Sequence, residues 1–247
     1  MSTLPRKALI AVTSYNGVFY EKDGKKTGLF YTEALHPYEE LVKAGFEVDI
    51  VSETGTCGLD EHSTQKDYLS DEDEKVLNDP NHPFNVKLNK HLRKASDLDP
   101  KQYGLFFASG GHATVYDYPT ARGLQSIAED IYSRGGVLSA VCHGPAILPG
   151  IIDRSTGRSV IEGKTVTGFT TSGEEQMGLL EKMKKDGVMT IEEAAAKVGG
   201  TYVSPAQPFD NFSKVDGRIV TGVNPASAKS TAINAIKVFD EVAQKTT

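Results

Sequence analysis

Four short runs decide what this chain can fold into. Lys7 to Thr13 (KALIAVT), Phe46 to Val51 (FEVDIV), Tyr103 to Ala108 (YGLFFA) and Val137 to Val141 (VLSAV) are brief, mainly apolar and β-prone, and each ends in turn-forming residues. Helical patterns lie between them. Thr32 to Ala44 carries Ala34, Leu35, Tyr38, Leu41 and Val42 near 3.6-residue spacing and stops at Gly45, and a second helix from about Ala121 to Arg134 stops at Gly135-Gly136. Strands that are buried on both faces and joined by crossover helices predict an α/β protein with a mostly parallel sheet.

The remaining segments extend the same rhythm. Lys164 to Phe169 and Thr201 to Val203 read as strands, with helices near Glu174 to Met183 and Ile191 to Val198. Asp216-Gly217 interrupts Phe212 to Gly222 as a hairpin turn would. A closing helix from about Pro225 places Ala228, Ala232, Ile236, Phe239 and Ala243 on one stripe. Between about residues 55 and 100 the pattern loosens into Gly, Asp, Asn and Pro around the acidic run Asp71-Glu72-Asp73-Glu74, which reads as a solvated helix face. We expect a single domain over residues 1–247 with a cap-like insertion at about 55–100, since 247 residues suit one large α/β unit.

Composition narrows the function. Twenty-seven basic against thirty-three acidic residues give a formal charge of −6, so no basic footprint for nucleic acid is expected. No stretch approaches the ~20 apolar residues of a spanning helix, and Ala8 to Val12 is too short for a signal-peptide core. A cytoplasmic and possibly nuclear protein, without membrane partners, is the expectation. The two cysteines, Cys57 and Cys142, are too few for a disulfide scaffold and lack zinc-knuckle spacing.

Three familiar patterns fail. Gly157 to Thr165 imitates a phosphate-binding loop but holds five residues between its glycines where four are required. No GxGxxG follows the first strand, so the dinucleotide cradle is missing. Glu33 and His36 lie three apart on a helix, but no second Glu-x-x-His completes a di-metal site, and a packed or capped pair is expected.

One constellation survives. Ala140-Val141-Cys142-His143-Gly144-Pro145 follows an apolar strand and leads into Ala146-Ile147-Leu148, with Pro145 suited to a first helical turn. Small residues two before and two after Cys142 match a nucleophile elbow. A thiol at a helix start should also be acidified, and a pKa of roughly 5 would ionise nearly all of it at neutral pH. Other polar features fall at the same carboxyl edge of the sheet, where α/β proteins bind ligands. Ser109-Gly110-Gly111-His112 follows YGLFFA, Glu33 opens the first crossover helix, and Gly173-Glu174 follows Gly168-Phe169. Cys57 has no evident base beside it and reads as structural or incidental.

On these residues the chain resembles the ThiJ/PfpI (DJ-one-like) superfamily, and within it the glutathione-independent class III glyoxalases that overlap with small fungal heat-shock chaperones. The likeness is carried by Leu9 to Asn16, Thr32 to Pro37, Val51 to Gly55, Phe107 to Thr114, Ala140 to Ala146 and Val220 to Ala228. It implies a flavodoxin-like sandwich with helices on both faces of the sheet. It implies Cys142 as nucleophile, His143 as its histidine, Glu174 as the carboxylate orienting that histidine, and Glu33 as the carboxyl beside the sulfur. Gly110 and Gly111 would form the oxyanion site, with the His143 backbone N–H as a second donor. The implied chemistry turns methylglyoxal into D-lactate, or glyoxal into glycolate, without metal or cofactor, in what is expected to be a homodimer. A holdase chaperone, a protein deglycase, or more remotely a cysteine peptidase or amidase are the alternatives the resemblance leaves open.

Overall fold

The computed structural model describes residues 4–244. Seven strands form its main sheet, in the spatial order Ser213–Asp216, Ile219–Gly222, Val137–Val141, Leu105–Ala108, Lys7–Ala11, Glu47–Ser52 and Arg93–Lys94. All pair in parallel except the edge hairpin, where Ser213–Asp216 runs antiparallel to Ile219–Gly222. Apart from that hairpin strand and the two-residue edge strand Arg93–Lys94, the order of successive strands is 2-1-3-4-5, the flavodoxin-like arrangement.

Side-chain alternation explains why the strand sequences look apolar throughout. Leu9, Phe106 and Leu138 join the core on one face, with Leu124, Ile127 and Ile131 of the helix Arg122–Ser133. Their neighbours Ile10, Phe107 and Val137 point to the other face, where Leu35 and Leu41 of the helix Thr32–Lys43 and Ala232 and Phe239 of the helix Ala228–Gln244 cover them. Both faces are therefore packed, and only the strand ends are left for chemistry.

Several boundaries differ from the sequence pattern for identifiable reasons. Lys164 to Phe169 does not enter the main sheet: only Thr165–Val166 is a strand, paired with Thr201–Tyr202 in a separate two-stranded sheet. The helix expected from Glu174 to Met183 is two helices, Thr171–Met177 and Leu180–Lys185, because Gly178 takes the left-handed conformation (φ 70°) that closes the first. After Cys142 the chain forms a 3₁₀ stretch, Gly144–Gly150, and not an α-helix, with Pro145 and Pro149 withholding two N–H donors. The 55–100 region holds helices Asp71–Leu77 and Pro83–Lys90 and then rejoins the main sheet through Arg93–Lys94. Its acidic run is only partly a solvated face. Asp73 is buried, closes a capping box with Ser70, and accepts a hydrogen bond from His36 Nε2 at 2.8 Å. His36 and Glu33 thus do not form the expected pair, because His36 is bonded to Asp73.

Candidate active site

The site gathers where the third and fourth parallel strands end. Cys142 is the only non-glycine residue with a positive φ, 59°, among the described residues. Such a conformation costs on the order of 1–3 kcal/mol and persists only where the surroundings enforce it. Here the backbone is held from both sides: Cys142 N–H donates to Gly222 O at 2.9 Å, and its carbonyl accepts from Phe169 N–H at 2.8 Å. The elbow read from the sequence is present, enforced by neighbouring strand and loop backbone.

Around the sulfur stand the groups the sequence singled out. His143 Nδ1 lies 3.2 Å from Cys142 Sγ, and its Nε2–H donates to Glu174 Oε1 at 2.5 Å. With Nε2 protonated toward a carboxylate, Nδ1 is left as the acceptor facing the thiol. Glu33, the second residue of the helix Thr32–Lys43, is fully buried and projects against Cys142 and Gly110. The thiol and the Gly110 amide bear on its carboxyl group, but neither oxygen has a hydrogen bond of good geometry. A buried, unpartnered carboxyl is costly for folding, which makes it a feature to be explained by chemistry.

Glycine at 110 is a steric requirement. A Cβ there would sit 2.4 Å from Glu33 Oε2, 2.7 Å from Val141 O and 2.9 Å from Cys142 Cβ. Gly110→Ala is therefore expected to push the carboxyl off the sulfur and lower kcat/KM by about 100-fold, since small displacements of reacting groups have effects of that size. Steady-state kinetics with a parallel thermal melt checks this; an alanine variant of unchanged kcat/KM would contradict the packing described. Gly111, at φ 107°, turns its N–H toward the sulfur, and that N–H has no backbone carbonyl partner among the described residues.

Burial governs the electrostatics, and it overturns one expectation. The Cys142 thiol is pushed well above the usual thiol range, first by burial and then by the charge of Glu33, with Glu174 adding and the Gly111 amide offsetting only in part. An acidified thiol at a helix start is not what the fold provides. The 3₁₀ turn contributes too little dipole to outweigh a dry site with two carboxyl groups. Burial likewise pushes Glu33 well above the ordinary carboxylate range. Thiol and carboxyl thus form a coupled pair in which ionisation of either disfavours ionisation of the other. His143 is lowered to about 4 by burial and by neighbouring His112, so it is neutral at physiological pH. Burial alone would raise Glu174, but two imidazoles hold it well below the carboxylate range.

His112 is the residue whose place the sequence did not reveal. Its Nε2–H donates to Glu174 Oε2 at 2.9 Å, so each oxygen of one carboxylate serves one histidine. The two imidazoles also touch, with ring centroids 4.0 Å apart. His112 directly follows Gly111, but nothing in spacing alone says its ring turns toward a carboxylate 62 positions later. His112, His143 and Glu174 could in principle hold a metal ion, their ligand atoms lying within 4.8 Å of one another. The two Nε2 atoms and both Glu174 oxygens are already spent on each other, so a metal bound through those atoms would first have to break both hydrogen bonds. Cys57 stands outside the cleft lining: it is partly buried, and its thiol is pushed up to about 12 by burial and by Asp117.

Access comes through a cleft of about 270 Å³. Cys142, His143 and Gly111 lie at its base, and Tyr20, Phe30, Tyr68, Phe169, Met177 and Phe209 are among its walls. Cys142 itself is only 3% exposed, so the sulfur is reached along this cleft and not from an open surface.

The profile of the DJ-1/PfpI family matches residues 27–237. The chain belongs to the DJ-1/PfpI family. Within that family it is 53% identical to Glyoxalase 3 of Candida albicans over 95% of this chain and 98% of that protein. It is 51% identical to glutathione-independent glyoxalase HSP31 of Saccharomyces cerevisiae, over 94% of this chain and 97% of the relative. The crystal structure of glyoxalase III from Candida albicans superposes with a TM-score of 0.92, covering 94% of this chain and 97% of that one at 53% identity. Among the described residues no helix is long and apolar enough to cross a membrane.

Proposed function

We propose that this DJ-1/PfpI chain is a glutathione-independent glyoxalase that converts methylglyoxal to D-lactate and glyoxal to glycolate in the cytoplasm. The observation that carries the reading is a thiol touching both a neutral imidazole and an unpartnered buried carboxyl at the foot of an open cleft. The likeness to glyoxalases over nearly the whole length of both chains supports it.

The steps follow from who holds the proton. As substrate enters, the Cys142 proton passes to Glu33 or to His143 Nδ1, and the sulfur adds to the aldehyde carbon. The oxygen that becomes negative is met by the N–H of Gly111 and of His143. Glu33, its proton affinity raised by burial well above that of an ordinary carboxylate, then moves the hydrogen on the former aldehyde carbon to the neighbouring carbon through an enediol. Its lack of fixed partners is what suits it, because a carboxylate locked by hydrogen bonds would be a poor base. The product of that transfer is a thioester on Cys142. His143, held by Glu174 and neutral at physiological pH, can draw a proton from the attacking water, and the thiolate leaves. Because the protein supplies the sulfur, no free thiol is consumed. Glu174 and His112 act at one remove, fixing the tautomer and the angle of His143.

Purified protein incubated with methylglyoxal in the absence of glutathione should release D-lactate catalytically, read with a D-lactate-specific assay. Release only on addition of glutathione, or accumulation of L-lactate, would overturn the proposal.

A further inference from the structure

The cleft is larger and drier than methylglyoxal requires. A five-heavy-atom dicarbonyl occupies on the order of 100 Å³ at about 20–30 Å³ per heavy atom, whereas the space above Cys142 is about 270 Å³. That approaches the ~300 Å³ at which pockets for much bigger organic molecules begin. None of the residues lining it is Asp, Glu, Lys or Arg among those described. Aromatic rings form a continuous path outward: Phe169 stacks on His143 with centroids 4.7 Å apart, and Phe209 lies 6.2 Å from Phe169. Phe30 and Tyr68 make a second edge-to-face pair in the same lining, at 5.7 Å. Tyr68 and Phe209 are about half exposed, so the apolar lining reaches the surface at these two rings. Charged groups enter only in the adjoining recess, whose walls include Glu21, Lys22, Asp23 and Lys182.

We infer that the preferred substrates are 2-oxoaldehydes bearing an aromatic or bulky apolar substituent, held by the rings between His143 and Phe209 while Cys142 engages the aldehyde. The inference rests on the glyoxalase reading and deepens it. The chemistry is unchanged and balanced. A carbon–sulfur bond forms at the aldehyde carbon, that carbon's hydrogen moves as a proton to the former ketone carbon, and water cleaves the thioester to return the thiol. The aldehyde carbon is oxidised, its neighbour is reduced, and one water is consumed. Phenylglyoxal gives mandelate. A phenyl ring buried against this lining should lower KM, and raise kcat/KM over methylglyoxal, by about 10- to 100-fold. A carboxylate on the far side of the ring would lie against a lining that holds no Lys or Arg among the described residues, so 4-carboxyphenylglyoxal should be at least about tenfold poorer than phenylglyoxal.

The experiment compares kcat/KM for methylglyoxal, phenylglyoxal and 4-carboxyphenylglyoxal without glutathione, in the wild type and in the rim variants Phe209→Ser and Tyr68→Ser. The expected result is a phenylglyoxal preference of tenfold or more that falls at least threefold in one or both variants. Both changes replace half-exposed side chains, so folding is preserved, and a thermal melt verifies this. Methylglyoxal turnover without a preference for phenylglyoxal, a preference indifferent to both substitutions, or equal use of the carboxylated analogue would overturn the inference and leave the glyoxalase reading standing. Absence of turnover for all three compounds would bring down both.

Discussion

Cys142→Ser abolishes glutathione-independent formation of D-lactate, lowering kcat by about 10⁴ or more, the scale seen when a nucleophile is removed from a machinery that acts as one unit. The hydroxyl is a far weaker nucleophile and, in a site that already raises the thiol's pKa by burial and by the charge of Glu33, it cannot ionise. The fold should barely notice. The backbone of residue 142 is fixed by Gly222 O and Phe169 N–H, contacts that a serine keeps. A melting temperature within a few degrees of the wild type, beside lost turnover, separates a chemical role for the sulfur from a structural one. Residual turnover above a few per cent would remove Cys142 from the mechanism.

Glu33→Gln should do two things at once: lower kcat by about 10²–10⁴ and make the protein more stable. The first follows because an amide cannot shuttle a proton. The second follows because the carboxyl is buried with no hydrogen-bond partner of good geometry for either oxygen, among the described residues, and its pKa is pushed well above the ordinary value. For an acid raised on folding, the unfolded state gives up its proton first as pH rises, so stability is lost from the unfolded pKa, near 4.5, upward to the folded one. Glutamine carries no such penalty. We expect the variant's advantage to be small at pH 4–5 and to grow toward pH 7–8, reaching roughly 1–3 kcal/mol. At about 2–4 °C per kcal/mol for a chain of this size, that is a rise of several degrees in melting temperature. Melting curves of both proteins across that pH range check the sign, and a variant that melts lower at pH 7–8 than at pH 4–5 relative to wild type would contradict it. Stability given up at a catalytic group is a common trade in enzymes.

These two residues also show what a sequence can and cannot disclose. The parallel sheet was legible because both of its faces are covered, which forces apolar runs such as KALIA and LFFA to stand out whole. Cys142 was legible because a positive φ beside a close crossing demands small residues on either side, and Ala140 and Gly144 satisfy that demand; a Cβ on Gly144 would lie 2.4 Å from Ala108 O. The acidity of the thiol was misread because it depends on solvent exclusion and on the distance to Glu33, both three-dimensional quantities. The strand expected at Lys164 to Phe169 shrank to two residues because its pairing partner, Thr201–Tyr202, lies outside the main sheet. His112 was visible as a letter after two glycines, but its hydrogen bond to Glu174 spans parts of the chain that meet only through the fold. Asp73, within a run of four acids, was drawn inward by a capping serine and a histidine that no composition count distinguishes from its neighbours.

The central claim, that substrate becomes bonded to Cys142 and waits there for Glu33 to move its proton, is open to direct observation. Methylglyoxal carbon-13-labelled at the aldehyde carbon, added to the Glu33→Gln protein, should show by NMR a protein-bound hemithioacetal carbon that decays slowly. The same signal should be missing when Cys142→Ser is added to that variant. D-lactate accumulating without any bound intermediate, or a bound signal that survives loss of the Cys142 sulfur, would contradict the account.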